Sequence, residues 1–119
     1  MITLVSFDID GTLEVGDPPG IITIPMVASI KHRGFLIGSC SDRPLSFQRQ
    51  MWERFGIAPD FTVLKHRLAE VRERFAAQLY YHIGDSDVDD RFAREAGFHF
   101  LRADATGHRS WGPRLFGAG

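Results

Sequence analysis

The sequence is poor in several residue types, and each shortage excludes a class of site or partner. It holds one cysteine, Cys40, so a disulfide within the chain and a zinc site of several cysteines are both excluded. Its formal net charge is only −1, which gives nucleic acid or an anionic membrane no overall electrostatic attraction. No apolar run approaches the length of a membrane span, and no secretory signal pattern occurs. These features predict a soluble cytoplasmic protein without a membrane partner.

Apolar runs alternate with amphipathic segments along most of the 119 residues. The apolar runs predict strands over 2–7, 35–37, 61–64, 79–83 and 98–101. Apolar positions at helical spacing lie between the predicted strands and predict helices there. Thr23 is the expected cap of the first helix, and Ser86 or Asp87 the expected cap of the last. Such repeated alternation is typical of a parallel α/β sheet with helices on both faces.

The chain is long enough for one domain with a sizeable core, which we expect over residues 1–104. Glycines are frequent over 105–119, and we expect a loosely held tail there that lays Trp111 or Phe116 on the core, with a short terminal helix as the alternative. In the second helix, one apolar face is predicted from the spacing of Phe47, Met51, Trp52 and Phe55.

The first strand ends in two carboxylates one residue apart, Asp8 and Asp10, and Gly11 follows them. Charged groups at the end of a buried strand are costly unless they are paired or bind a metal. In open α/β sheets, the carboxyl ends of the strands are also where ligands bind. A surface turn would use the same residues, but the pattern favours a metal-dependent site.

Other predicted strands also end in side chains that can carry chemistry. Ser39 and Ser41 stand at the end of the second strand, and Lys65 stands at the end of the third. Asp85 follows the fourth strand, and Asp89 lies at the start of the next helix. The strand ends therefore collect carboxylates, hydroxyls and one of only two lysines.

These groups resemble, in the required order, the four motifs of the haloacid dehalogenase-like (HAD) superfamily, which consists mostly of phosphatases and phosphotransferases. The matching segments are 8–12 for motif I, 41–44 for motif II, Lys65 for motif III and 84–89 for motif IV. The resemblance covers residues 2–101 and implies a HAD-like three-layer sandwich with a five-stranded parallel sheet of order 5-4-1-2-3. Only a short loop separates motif I from the next helix, so a separate cap domain does not fit.

The resemblance implies hydrolysis of a phosphomonoester through an aspartyl-phosphate. Asp8 would be the nucleophile, and Asp10 would be the general acid and base. Ser41 and Lys65 would contact the phosphoryl group, and Asp89 would orient Lys65 or a metal-bound water. The residues expected to bind substrate are Gly11, Thr12, Ser41, Asp42, Arg43 and Lys65.

A divalent cation is expected because a doubly charged phosphomonoester must approach several carboxylates. Oxygen ligands without a histidine or thiolate requirement favour Mg²⁺. The ligands would be Asp8, Asp85 and, by the resemblance, the backbone carbonyl of Asp10. Without a cap the pocket is open, which admits a phosphorylated small molecule or a macromolecular end, or leaves a second copy of the chain to cover it.

Several alternatives stay open at this point. Ser39 is the alternative to Ser41 as the phosphate ligand, and Ser41 would also serve as a helix N-cap. Lys65 would equally suit a solvated helix start, and Asp89 a first turn where its charge favours the helix dipole. The domain as a whole would also suit a phospho-acceptor regulatory domain or a non-catalytic binding module. Cys40 and His82 are expected to be core residues.

Overall fold

The computed structural model describes residues 1–117 and contains one five-stranded sheet. The strands are β1 (Thr3–Phe7), β2 (Leu36–Ser41), β3 (Phe61–Leu64), β4 (Leu79–Gly84) and β5 (His99–Arg102). Every pairing is parallel and the order is β3-β2-β1-β4-β5, which is the predicted order viewed from the opposite edge. The predicted α/β class and sheet topology are therefore confirmed, and β1 lies in the centre of the sheet.

Helices connect the strands and cover both faces of the sheet. They are α1 (Ile24–His32), α2 (Leu45–Arg54), α3 (Leu68–Arg74), α4 (Asp87–Glu95) and α5 (Ala105–Phe116), with a 3₁₀ turn (Lys65–Arg67) before α3. Successive side chains of a strand point to opposite faces, and Leu4 and Val5 accordingly belong to two separate apolar clusters. The cluster around Val5 includes residues of α1, α2 and α5, whereas the cluster around Leu4 includes residues of α3 and α4. The result is three layers.

Local signals in the sequence set the helix starts that were predicted. Thr23 caps α1 by accepting a hydrogen bond from the backbone N–H of Met26, and Pro25 lies in the first turn. Ser86 caps α4 in the same way, through the N–H of Asp89, whose carboxylate accepts in return from the backbone of Ser86. Of the two candidate caps for α4, Ser86 is therefore the one used.

The second helix departs from its predicted pattern. Met51 and Trp52 are buried as expected, but Phe47 and Phe55 are 38% and 36% exposed. Gln48 takes the buried position on α2 instead, because its amide bonds three groups in the core. Two aromatic side chains, Phe47 on α2 and Phe55 directly after it, therefore lie at the surface.

The segment expected to be a loosely held tail forms α5 as far as Phe116, which is the helical alternative. Trp111 and Leu115 are buried in the same cluster as α1 and α2. The indole N–H of Trp111 donates to the backbone carbonyl of Arg102 at 3.1 Å, which ties the helix to β5. Residues 118 and 119 of the predicted tail lie outside the described residues. Within residues 1–117, no helix is both long and apolar enough to cross a bilayer.

Candidate functional site

The candidate site lies at the carboxyl edge of the sheet, where β1 and β4 run side by side. Asp8 is the first residue after β1, and its backbone N–H donates to the carbonyl of Ile83 in β4 at 2.9 Å. Asp85 is the first residue after β4. The chain connects β1 to β2 on one side and places β4 on the other, so this edge is the topological switch point where α/β proteins bind ligands.

Two glycines allow the carboxylates to come close to the backbone. Gly11 has φ of +77°, and a Cβ at this position would collide with the carboxylate of Asp85. A Cβ at Gly84 would collide with the side chain of Asp89. The glycines of segments 8–12 and 84–89 are thus required by the packing of neighbouring acids.

Three carboxylates form one cluster at this edge. Oxygen atoms of Asp8, Asp85 and Asp89 all lie within 4.8 Å of one another. Asp8 and Asp89 are buried, with 4% and 0% of their surface exposed, whereas Asp85 is exposed. The cluster therefore has a buried floor and one side open to solvent.

Lys65 supplies the positive charge that faces the buried acids. Its Nζ lies 3.5 Å from Oδ1 of Asp8 and 3.3 Å from Oδ1 of Asp89, and only 9% of its side chain is exposed. Asp42, whose side chain is 86% exposed, approaches the same Nζ at 3.8 Å. Because Lys65 is held between two buried carboxylates, the solvated helix-start role does not describe it.

Asp89 has both carboxylate oxygens engaged by neighbours. Oδ1 lies 2.9 Å from Nε2 of His82 as well as near Lys65, and Oδ2 accepts from the hydroxyl of Ser86 at 2.7 Å. His82 is fully buried, and its Nδ1 lies 2.9 Å from the hydroxyl of Ser6. Asp89 is therefore a buried anchor for Lys65 and His82.

The pKa values of the two buried acids, Asp8 and Asp89, are shifted in opposite directions. Burial, and after it the charge of Asp89, raise the pKa of Asp8 to about 8 against the opposing charge of Lys65. Burial also acts to raise the pKa of Asp89, but the hydrogen bond from His82 and the charges of His82 and Lys65 outweigh it and lower the pKa to about 2. Asp89 is thus the ionised partner of Lys65, and Asp8 is the acid that lacks a full countercharge.

Lys65 responds to the same charges. Burial acts to lower the pKa of Lys65, but the neighbouring charges of Asp8 and Asp89 outweigh it and raise the pKa above its ordinary value. The ammonium therefore stays charged at neutral pH. Its three N–H donors have Asp8, Asp89 and the exposed Asp42 within 4 Å, so a further negatively charged group would take the place of Asp42.

Asp10 is held away from the buried acids by an arginine. Arg43 donates to both of its oxygens, at 2.8 Å from Nε and 3.1 Å from Nη2, and the backbone N–H of Asp17 donates at 2.8 Å. The hydrogen bonds from Arg43 hold the pKa of Asp10 below its ordinary value. Arg43, predicted from the sequence to bind substrate, is here the partner of Asp10.

The two candidate serines of β2 have different environments. The hydroxyl of Ser39 donates to Gln48 at 2.6 Å and accepts from the indole of Trp52 at 3.0 Å, so it is used within the core. The hydroxyl of Ser41 accepts from the backbone N–H of Arg43 at 3.0 Å and keeps its own proton for a further acceptor. Helix α2 has no side-chain cap bond at its start, so Ser41 does not act as its N-cap.

The remaining predicted residues of segment 8–12 differ in their access to the site. Gly11 lies against Asp85 at the open side of the cluster. Thr12 is fully buried, and its hydroxyl has no hydrogen-bond partner within residues 1–117. A substrate would therefore meet the backbone of this turn rather than the side chain of Thr12.

Ser6 is a site residue that sequence reasoning missed, and His82 is a buried core residue as expected, but its bond to Asp89 was not foreseen. They are paired directly across β1 and β4, and both are fully buried. The available signal was a polar residue inside each of two strands that are otherwise apolar, since buried polar side chains need partners. Their pairing follows only from the register of the two strands.

The donor set suits a hard divalent cation. Asp8 and Asp85 offer carboxylate oxygens that face each other, and one of the two carboxylates is open to solvent for additional water ligands. Asp89 is already engaged on both oxygens. Asp8 and Asp85 are therefore the side chains that could hold a metal, and a cation there would supply the charge that Asp8 lacks.

One cavity of the described residues lies away from the carboxylate cluster. It has a volume of about 690 Å³, lies between α1 and α5, and is lined by residues such as Met26 and Phe116. None of the clustered carboxylates lines it. The chemistry of the site is therefore assigned from the carboxylate cluster and not from cavity size.

A scan against protein-family models and a search of curated proteins found no match to this chain. The residues of the site and their geometry are therefore the basis for a function. The central observations are the pair Asp8 and Asp85, the buried Lys65 beside Asp8, and the free hydroxyl proton of Ser41.

Proposed function

We propose that this chain is a Mg²⁺-dependent phosphomonoesterase of the HAD type that forms an aspartyl-phosphate on Asp8. The observation that carries the proposal is the meeting of Asp8 and Asp85 within 4.8 Å, with Lys65 at 3.5 Å from Asp8, at the switch point of a parallel sheet. A bound Mg²⁺ would supply charge neutralisation between the carboxylates and a phosphate dianion. Asp8 and Asp85 would hold it, together with the backbone carbonyl of Asp10 implied by the resemblance.

The residues around Asp8 suit attack on phosphorus. The carboxylate of Asp8 forms the new bond to phosphorus, and the bond from phosphorus to the leaving oxygen breaks. Lys65 is fixed by Asp89 and donates to the phosphoryl oxygens, on which negative charge is concentrated. Ser41 donates its hydroxyl proton to a phosphoryl oxygen.

Asp10 transfers a proton in both halves of the reaction. It gives a proton to the leaving oxygen in the first half. In the second half it takes a proton from water as the water oxygen bonds to phosphorus and the bond between Asp8 and phosphorus breaks, which releases inorganic phosphate. Because Arg43 favours the ionised form of Asp10, the structure corresponds to the base form. Protonation for the first half requires Asp10 to leave Arg43, so this ion pair lies on the reaction path.

The state of the one cysteine supports a proposal for the cellular compartment. Cys40, the one cysteine, is buried and free, and burial raises the pKa of its thiol. A buried free thiol is typical of a reducing compartment. We place the activity in the cytoplasm.

Hydrolysis of p-nitrophenyl phosphate tests the proposal directly. We expect turnover that depends on Mg²⁺, a loss of at least about 10³-fold in Asp8→Asn, and a loss of about 10²- to 10⁴-fold in Asp10→Asn. Asp87→Asn is the matched control, because the side chain of Asp87 is 97% exposed and belongs to the same helix start as Asp89. This control should keep wild-type turnover.

Two other outcomes would reject the proposal. Turnover that survives Asp8→Asn would eliminate the covalent route. A phosphoryl group that stays on Asp8 without release would instead support the phospho-acceptor domain, and inactivity toward a panel of phosphorylated metabolites and oligonucleotides would support a binding module.

A further inference from the structure

A second cavity, of about 200 Å³, runs along α2 beside the loop that follows β1. It is lined by Val15, Phe47, Gln50, Met51, Arg54 and Phe55. The two phenylalanines belong to the few large apolar side chains that are more than a third exposed, although their spacing predicts a buried face. An arginine guanidinium lies over each ring: the Cζ of Arg43 is 4.7 Å from the ring centre of Phe47, and the Cζ of Arg54 is 5.6 Å from that of Phe55. This cavity combines aromatic walls with one cationic lining residue, Arg54, while Arg43 lies against the ring of Phe47.

The cavity adjoins Asp10 by two routes. Arg43 donates to Asp10 with its guanidinium and covers the ring of Phe47 with the same group. The loop after β1 also folds back, since a Cβ at Gly16 would collide with the backbone of residues 9 and 10, and Val15 lines the cavity next to it. The cavity therefore begins on the side of the site where Asp10 lies.

We propose that this cavity is the subsite for the leaving group and that it takes an aromatic phosphomonoester with a single planar ring. The inference rests on the proposed function, because Asp10 protonates the leaving oxygen and the leaving group must lie on its side of the phosphorus. A cavity of about 150 Å³ holds one benzene-sized ring, so 200 Å³ suits a single ring with a substituent. The aromatic side chains of Phe47 and Phe55 line the cavity, and pairs of aromatic rings attract each other in offset or edge-to-face contact.

The far end of the cavity adds a preference for the substituent. Arg54 is the last residue of α2 and one of the lining residues, so a carboxylate or another hydrogen-bond acceptor opposite the phosphate would meet its guanidinium. In the reaction, the bond between Asp8 and phosphorus forms, the aryl oxygen to phosphorus bond breaks, and the proton of Asp10 passes to the aryl oxygen. The released product is then a phenol.

The test compares an aromatic and an aliphatic substrate in matched variants. We measure kcat/KM for phenyl phosphate and for glycerol 3-phosphate in the wild type, Phe47→Ala, Phe47→Leu and Arg49→Ala. Phe47→Ala should lower the ratio of the two kcat/KM values about 3- to 10-fold, because an aromatic contact of this kind contributes that much to binding. Phe47→Leu keeps apolar bulk and should give a smaller decrease. Comparing this ratio between each variant and the wild type cancels the different intrinsic reactivity of the two leaving groups.

Arg49→Ala is the control on the same helix, because Arg49 is exposed and does not line this cavity. It should leave the ratio unchanged. Inhibition by benzylphosphonate and ethylphosphonate measures binding alone, and the wild type should favour benzylphosphonate by a margin that Phe47→Ala reduces.

The outcomes separate the two proposals. Hydrolysis of both substrates with a ratio that Phe47→Ala does not change would overturn the subsite and leave the phosphatase intact. No hydrolysis of either substrate, in folded wild-type protein with Mg²⁺, would overturn the proposed function and this inference with it.

Discussion

The raised pKa of Asp8 predicts an unusual pH dependence of stability in the metal-free protein. The pKa is about 8 in the folded chain against an ordinary value of 3.8. Between these values the folded chain keeps a proton on Asp8 that the unfolded chain has lost, so the free energy of unfolding falls as pH rises. The slope is about 1.4 kcal/mol per pH unit, and the fall from about pH 5 to about pH 7 is about 2.7 kcal/mol.

Asp8→Asn removes this proton and should remove the slope. The measurement is urea unfolding of metal-free wild type and variant at several pH values, followed by circular dichroism. The difference between the two proteins cancels the titration of the histidines and of other shared groups. Asp87→Asn, which changes an exposed carboxylate, should follow the wild-type curve.

Mg²⁺ gives the same prediction a second readout. A cation that takes the place of the proton on Asp8 leaves the folded chain with no extra proton, so saturating Mg²⁺ should flatten the wild-type curve. The variant should respond far less. Parallel curves for wild type and Asp8→Asn without metal would refute the reasoning, because Asp8 would then be ionised at neutral pH like a solvated aspartate.

Three further substitutions test other parts of the site. Lys65→Met should lower the free energy of unfolding by about 3–5 kcal/mol at neutral pH, measured by urea unfolding, because it leaves the buried, ionised carboxylate of Asp89 without its lysine partner; a loss below about 1 kcal/mol would contradict the buried ion pair. His82→Phe should lower the free energy of unfolding by about 1–3 kcal/mol, because its two buried hydrogen bonds, to Ser6 and to Asp89, are lost. An unchanged midpoint of urea unfolding would contradict this network. Gly11→Ala should destabilise the fold more than Gly56→Ala does, since both glycines have positive φ but only a Cβ at Gly11 meets Asp85. Gly11→Ala should also weaken the activation of turnover by Mg²⁺. Equal effects of the two substitutions would show that the contact with Asp85 is unimportant.

The strand ends were predictable because buried parallel strands are mostly apolar and uncharged. The first charged residue after the run therefore marks the carboxyl edge, as Asp8, Lys65 and Asp85 do. Helix caps were predictable for a similar reason, since Thr23 and Ser86 satisfy backbone N–H groups within a few residues of themselves. Both signals are local in the sequence.

Contacts between distant segments were not predictable in this way. Arg43 binds Asp10, 33 residues away, and this choice of partner depends on how the loops after β1 and β2 meet. Phe47 and Phe55 fit the helical period of a buried face, but Gln48 takes the core position through three side-chain bonds. Helix periodicity alone does not tell which of these side chains is buried.

The C-terminal helix shows the same limit. Glycine and proline within α5 lower its intrinsic helix propensity, which favoured a loose tail in the sequence. Burial of Trp111 and Leu115 and the bond from the indole to β5 outweigh that preference. Tertiary packing therefore decides the conformation of this segment.

The central claim is that Asp8 and Asp85 hold one divalent cation between them. Calorimetric titration of the metal-free protein with Mg²⁺ tests it most directly, in the wild type, Asp85→Asn and the control Asp87→Asn. We predict one Mg²⁺ per chain for the wild type and the control, and binding lost or weakened at least about tenfold in Asp85→Asn. Wild-type affinity in Asp85→Asn would contradict the claim.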